Sequence, residues 1–130
     1  MNIPNDVISR GLDFIANTPI PEGQIDQMDM RAEIFATLAR GKHPKAQEIQ
    51  RSIDLKKLSR HGYLIYHVGL AYMRKLDDTE RKNLDQRMNT RANESYWYWD
   101  DTADKAIYAR LLIRLGDSKK AGIMISDMLR

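Results

Sequence analysis

"RHGYLIYHVGLAYMRKLDD", residues 60–78, decides the fold. Ser59, just before it, is placed to cap a long helix through Tyr63, Leu64, Ile65, Tyr66, Val68, Leu70, Ala71 and Tyr72. That helix is apolar over most of its circumference, so it must be covered on more than one side. After it, Asp77 or Asp78, with Glu80 close behind, restarts the chain in a strongly charged helix where only Leu84 and Met88 look inward. A buried helix followed by a solvent-facing one is a hairpin, residues 59–89.

The same plan extends to both sides. Ile8, Leu12 and Ile15 recur at i, i+4 and i+7, giving one apolar face to a first helix within residues 1–18 that starts near Pro4 and ends before Pro19. The linker Thr18-Pro-Ile-Pro-Glu-Gly23 is the clearest break in the chain. A hairpin over 26–54 follows: Asp26 or Asp29 caps a helix with Met30, Ile34 and Leu38 on one face, Gly41 ends it, and Pro44 opens a short helix carrying Ala46, Ile49 and Ile53. A third hairpin spans 100–130. Ile107, Leu111 and Leu115 share a face, Gly116 ends that helix, and Asp117 or Ser118 caps the last one, with Ala121, Met124, Ile125 and Met128 inward.

The hairpin turns fall at Gly41, Asp77 and Gly116, 36 and 39 residues apart. Two helices per unit at that period mark consecutive helical hairpins, which bury their apolar faces only by stacking on one another. The fold class is all-α, a single helical domain over residues 1–130; only Glu94 to Trp99, with its alternating aromatics, has an extended pattern.

Composition sets outer limits. The 130 residues are 42% hydrophobic and 30% charged, ordinary for a globular chain with a real core. A balance of 21 basic to 18 acidic side chains is far from the concentrated basic face of a nucleic-acid binder, so no nucleic acid is expected as a partner. The longest uncharged, mostly apolar run, Gly62 to Met73, is too short to span a bilayer. With no cysteine, disulfides, thiolate metal sites and a thiol nucleophile are excluded together. His43, His61 and His67 lack the i, i+4 spacing of a helical metal pair, and His67 reads as a hydrogen-bonded core histidine. No serine sits in a nucleophile elbow, no glycine-rich phosphate loop occurs, and Asp77-Asp78 and Asp100-Asp101 read as helix caps. These residues make no case for catalysis, a metal or a cofactor.

Both tryptophans fall in "ESYWYWDDTADKAIYARLLIRLGD", residues 94–117. Tyr96 and Tyr98 alternate with Trp97 and Trp99, so an extended segment sends one pair inward and the other outward. The four are candidate packing or interface residues, with stacking on a ligand as the sharper alternative.

At these residues the chain resembles a family. "ESYWYWDDTADKAIYARLLIRLGDSKKAGIMISDMLR" (94–130) is similar to the aromatic, acidic, then threonine-led helical segment of the thioester-containing domain of bacterial alpha-2-macroglobulin-like proteins. "QMDMRAEIFATLARGKHPKAQEI" (27–49), with its aspartate and its arginine-alanine pair, and "RHGYLIYHVGLAYMRKLDD" resemble that domain's preceding helices. Each stretch alone is generic helical sequence; the specificity lies in their succession over about residues 4–130.

The resemblance implies that the hairpins are part of an alpha/alpha toroid of about six such units. The parent would be a periplasmic or secreted protease inhibitor that traps its attacker, in some members through a Cys-x-Glu-Gln thioester. This chain departs from the pattern at the chemistry: it has no cysteine, and Pro21-Glu22-Gly23-Gln24 is only a superficial echo. No catalytic residue carries over. The expected role is structural packing, with the remainder of the parent and, through it, proteases as partners. The chain's end within a helix at Met128-Leu129-Arg130 also predicts a fragment, and the uncovered hairpin faces of a part-toroid predict homo-oligomers through the first or last hairpin. The N-terminus carries no secretory signal, which makes a complete chain cytosolic and carries no weight for a fragment. The alternative is a freestanding helical-repeat module of the tetratricopeptide type, whose concave face recognises a peptide. Such a module carries polar, ligand-facing residues on its inner helices, whereas 63–72 and 106–115 are mostly apolar, which favours the toroid.

Overall fold

The computed structural model describes residues 5–17, 27–89 and 101–128, and every regular element among them is helical. In chain order these are α1 (Asn5–Asn17), α2 (Gln27–Arg40), α3 (Ala46–Arg51), α4 (Arg60–Met73), α5 (Asp78–Asn89), α6 (Asp101–Arg114) and α7 (Ser118–Met128), with a 3-10 turn at Leu55–Lys57 before α4. The chain is all-α. Helix α2 packs on α3, α4 on α5 and α6 on α7, while α2 and α6 both lie against α4.

Short polar signals set the helix ends. Ser59 accepts a hydrogen bond from the Gly62 N–H at 3.1 Å, as an N-cap should. Asp77 and Glu80 form a reciprocal capping box: the Glu80 N–H donates to Asp77 Oδ1 (2.7 Å) and the Asp77 N–H donates to Glu80 Oε1 (3.0 Å). Asp117 accepts from the Lys120 N–H at 3.2 Å and opens α7. Gly116, at φ 87°, closes α6: its own N–H reaches the Ile113 carbonyl and the Asp117 N–H the Leu112 carbonyl, the paired bonds of a Schellman turn.

Two expected caps differ. The end of α2 makes the same pair of bonds, from Lys42 to Ala39 and from His43 to Leu38, but the residue with positive φ is Lys42 (56°) and not Gly41. The helix runs one residue further than the glycine suggests, leaving the left-handed position to the lysine. Of the two residues expected to cap α2, Asp26 lies outside the described residues and Asp29 lies inside the first turn of the helix. The buried Asp29 carboxylate crosses to α4, accepting from the Ser59 N–H at 3.0 Å and from the Ser59 hydroxyl, so the start of α2 is tied to the cap of α4.

Helix α4 is the shared wall of two cores. One gathers Phe35, Leu38, Leu58, Ile65, Tyr66, Leu70 and Leu76, with Leu12 and Ile15 of α1 packed at its edge. The other gathers Leu64, Leu84, Met88, Tyr108, Leu111, Leu112 and Ala121. Leu84 and Met88 thus bury as the sequence predicts. On α7 the expected face is only partly covered: Ala121 is buried and Met124 packs against the second core, but Ile125 is 39% exposed. Close approach of α2 to α4 depends on Gly69, where a Cβ would stand 2.6 Å from Phe35 Cε2 and 3.0 Å from Ala36 Cα. Contacts pair Glu33 with His61, Phe35 and Ala36 with Gly69, His61 with Asp104, and Tyr72 with Arg114. The first helices of the three pairs therefore run in the same direction, side by side.

Candidate functional site

At their N-terminal halves the three parallel helices are joined by charge. His61 of α4 is 5% exposed, and both ring nitrogens face carboxylates, Nδ1 at 2.7 Å from Asp104 Oδ1 of α6 and Nε2 at 2.9 Å from Glu33 Oε1 of α2. Two acceptors require two N–H donors, so the ring is an imidazolium. Burial pushes its pKa down, but hydrogen bonds and attraction from Asp104 and Glu33 together outweigh that and raise it to about 9. Arg60 Nη2 stands 3.6 Å from the second oxygen of Asp104, which is itself 2% exposed. The buried Asp104 carboxylate is thus faced by two cations, which offsets the cost of removing it from water.

Toward their C-terminal ends the same helices open. A cleft of about 310 Å³ is lined by Ala36, Thr37 and Arg40 of α2, Val68 and Tyr72 of α4, and Ile107, Arg110, Leu111 and Arg114 of α6. On each helix these positions recur at i+3, i+4 or i+7, so one face of each turns toward the cleft. The floor is apolar and the rim cationic. The Arg114 guanidinium lies 4.0 Å from the centroid of the Tyr72 ring, a cation–π contact. Arg40 and Arg110 are exposed, and among the described residues no carboxylate pairs with Arg40, Arg110 or Arg114. Beyond Arg114 a second recess of about 440 Å³ continues past Arg74, Lys75 and Arg81.

The sequence candidates Tyr96, Trp97, Tyr98 and Trp99 lie outside the described residues. His67 is the expected core histidine: 2% exposed, its Nδ1–H donates to the Tyr63 carbonyl at 2.8 Å, and burial holds its pKa below the usual imidazole range. His43 accepts from the Lys45 N–H through Nδ1 and donates from Nε2 to Asp13 at 2.6 Å, linking α1 to the turn after α2. Among the described residues no group of three acidic, histidine or cysteine side chains has the arrangement of a metal site. No described helix is long and apolar enough to cross a membrane.

Comparison with models of known protein families, with curated proteins and with solved structures finds no match. The geometry therefore carries the functional reading. Sequence reasoning passed over Glu33 and Asp104, which meet His61 from 28 and 43 positions away, and over the three rim arginines. The available signal for the arginines was the recurrence of Arg110 and Arg114 at i, i+4 on a helix whose opposite face is core. The inner helices are mostly apolar, as read, but Tyr72, Arg110 and Arg114 give them a polar set that lines the cleft.

Proposed function

We propose that this chain is a helical binding module, without catalysis of its own, that takes a polypeptide segment in the cleft between α2, α4 and α6. One observation carries the reading: all nine residues lining that cleft come from the first helix of each pair, and those helices run parallel. That is the arrangement by which stacked helical hairpins present a concave recognition face. The volume, an apolar floor and a few polar groups at the rim meet the ordinary description of a ligand site.

The protease-trap reading has the resemblance of the quoted stretches and the run of helical pairs in its favour, and nothing in the cleft adds to it. The binding reading is tested by filling the cleft. Thr37 is exposed at its edge, so Thr37→Trp should leave the helical content and the unfolding midpoint unchanged. Peptides selected from a surface-displayed library on the wild-type chain should lose binding to this variant. Undiminished binding would place recognition elsewhere.

A further inference from the structure

The rim of the cleft specifies the chemistry of what enters it. Arg40, Arg110 and Arg114 converge from two helices around Val68, Ile107 and the Tyr72 ring. Helix-dipole compensation accounts for Arg40 and Arg114, which lie in the last turns of α2 and α6. It does not account for Arg110, one turn earlier. At the other end of the same helix trio two cations are matched: Arg60 and His61 face Asp104, and His61 also faces Glu33. The acidic side chains of this trio are gathered at its closed end, and the rim is left with guanidiniums that no described carboxylate answers.

We propose that the cleft binds an acidic peptide, in which carboxylates engage Arg40 and Arg110 while an adjoining apolar side chain rests on Val68 and Ile107. The proposal rests on the binding-module reading and names its ligand class. Guanidinium forks hold carboxylates bidentately, and such charge-assisted bonds are about twice as strong as neutral ones. Charge complementarity thus supplies both orientation and specificity. A single-stranded nucleic acid fits less well. Its bases need open aromatic faces, and the ring that lines the cleft, Tyr72, is already covered by Arg114.

The test measures fluorescence anisotropy of two labelled peptide pools, each of about ten residues, on the full chain. One pool has glutamates interspersed with leucine and phenylalanine; the other carries glutamine in place of every glutamate. Labelled oligo-uridine is the third probe. The proposal expects saturable binding of the glutamate pool, at least about tenfold weaker for the glutamine pool and for Arg110→Ala or Arg40→Ala. Arg110→Lys should recover only part of the loss, and added salt should weaken binding. Lys119→Ala, an exposed charge on α7 outside the cleft, should bind as wild type. Equal binding of the two peptide pools, lost on Thr37→Trp, would overturn the acidic specificity and leave the module reading standing. Binding of neither pool would overturn both. Tighter binding of oligo-uridine, abolished by Arg110→Ala, would overturn the proposal in favour of a nucleic-acid surface.

Discussion

The two ends of the α2–α4–α6 trio handle charge in opposite ways. At the N-terminal end His61, Arg60, Asp104 and Glu33 are packed against one another, and Asp104 and His61 are almost wholly out of water. At the other end Arg40, Arg110 and Arg114 stand at an open cleft with no described carboxylate beside them. Buried charges survive only in matched sets, because an unmatched one forfeits its hydration without recompense. Exposed charges remain hydrated and need no partner. The closed end therefore fixes how the three helices align, and the open end is available for a ligand. Stability and recognition are separated along the same three helices by about one to three helical turns.

Breaking the closed end should have the largest effect. Asp104→Ala leaves Arg60 and His61 without their buried carboxylate and should cost about 3–5 kcal/mol in urea unfolding. A loss under about 1 kcal/mol would mean that the cluster holds little together. Titrating it should cost somewhat less. The folded His61 pKa stands near 9 against an ordinary 6.5, so its contribution is complete below pH 6.5 and drains away as pH rises through 9. Between pH 6.5 and 9.5 the chain should lose on the order of 2–3 kcal/mol. His67, whose pKa is lowered, acts on the other side, withdrawing stability as pH falls below 6.5. The stability maximum should therefore lie near neutral pH, and His61→Gln should flatten the alkaline limb alone. Gly69→Ala tests the alignment from within, since its Cβ meets Phe35 and the Ala36 backbone; about 1–3 kcal/mol should be lost. Arg110→Ala, at the open end, should change stability by no more than about 0.5 kcal/mol. A larger loss would make that arginine part of the scaffold.

The all-helical class, the buried character of 60–73 and the caps at Ser59, Asp77 and Asp117 were all legible in the sequence, because each rests on periodicity or on a side chain acting within four residues of itself. Asp29 shows where that reasoning stops. Its position beside a helix start looks like a cap, yet its carboxylate is used by Ser59, 30 residues on. The same holds for His61, whose two partners lie on different helices. Lys42 at positive φ illustrates a smaller miss, since a neighbouring glycine draws the assignment. Of the site, local patterning gave the three helices but not which of their faces meet. The rim arginines, read one helix at a time, are ordinary surface charges. Only the shared wall of α4 turns them into a group.

The most direct test follows amide chemical shifts by ¹H–¹⁵N correlation while the acidic peptide pool's best binder is titrated into the full chain. The account predicts perturbations concentrated in residues 36–40, 68–72 and 107–114, lining the cleft, with little change around His61 and in α5. Perturbations centred instead on α1, or on the exposed isoleucines 123 and 125 of α7, with the cleft residues unmoved, would contradict it.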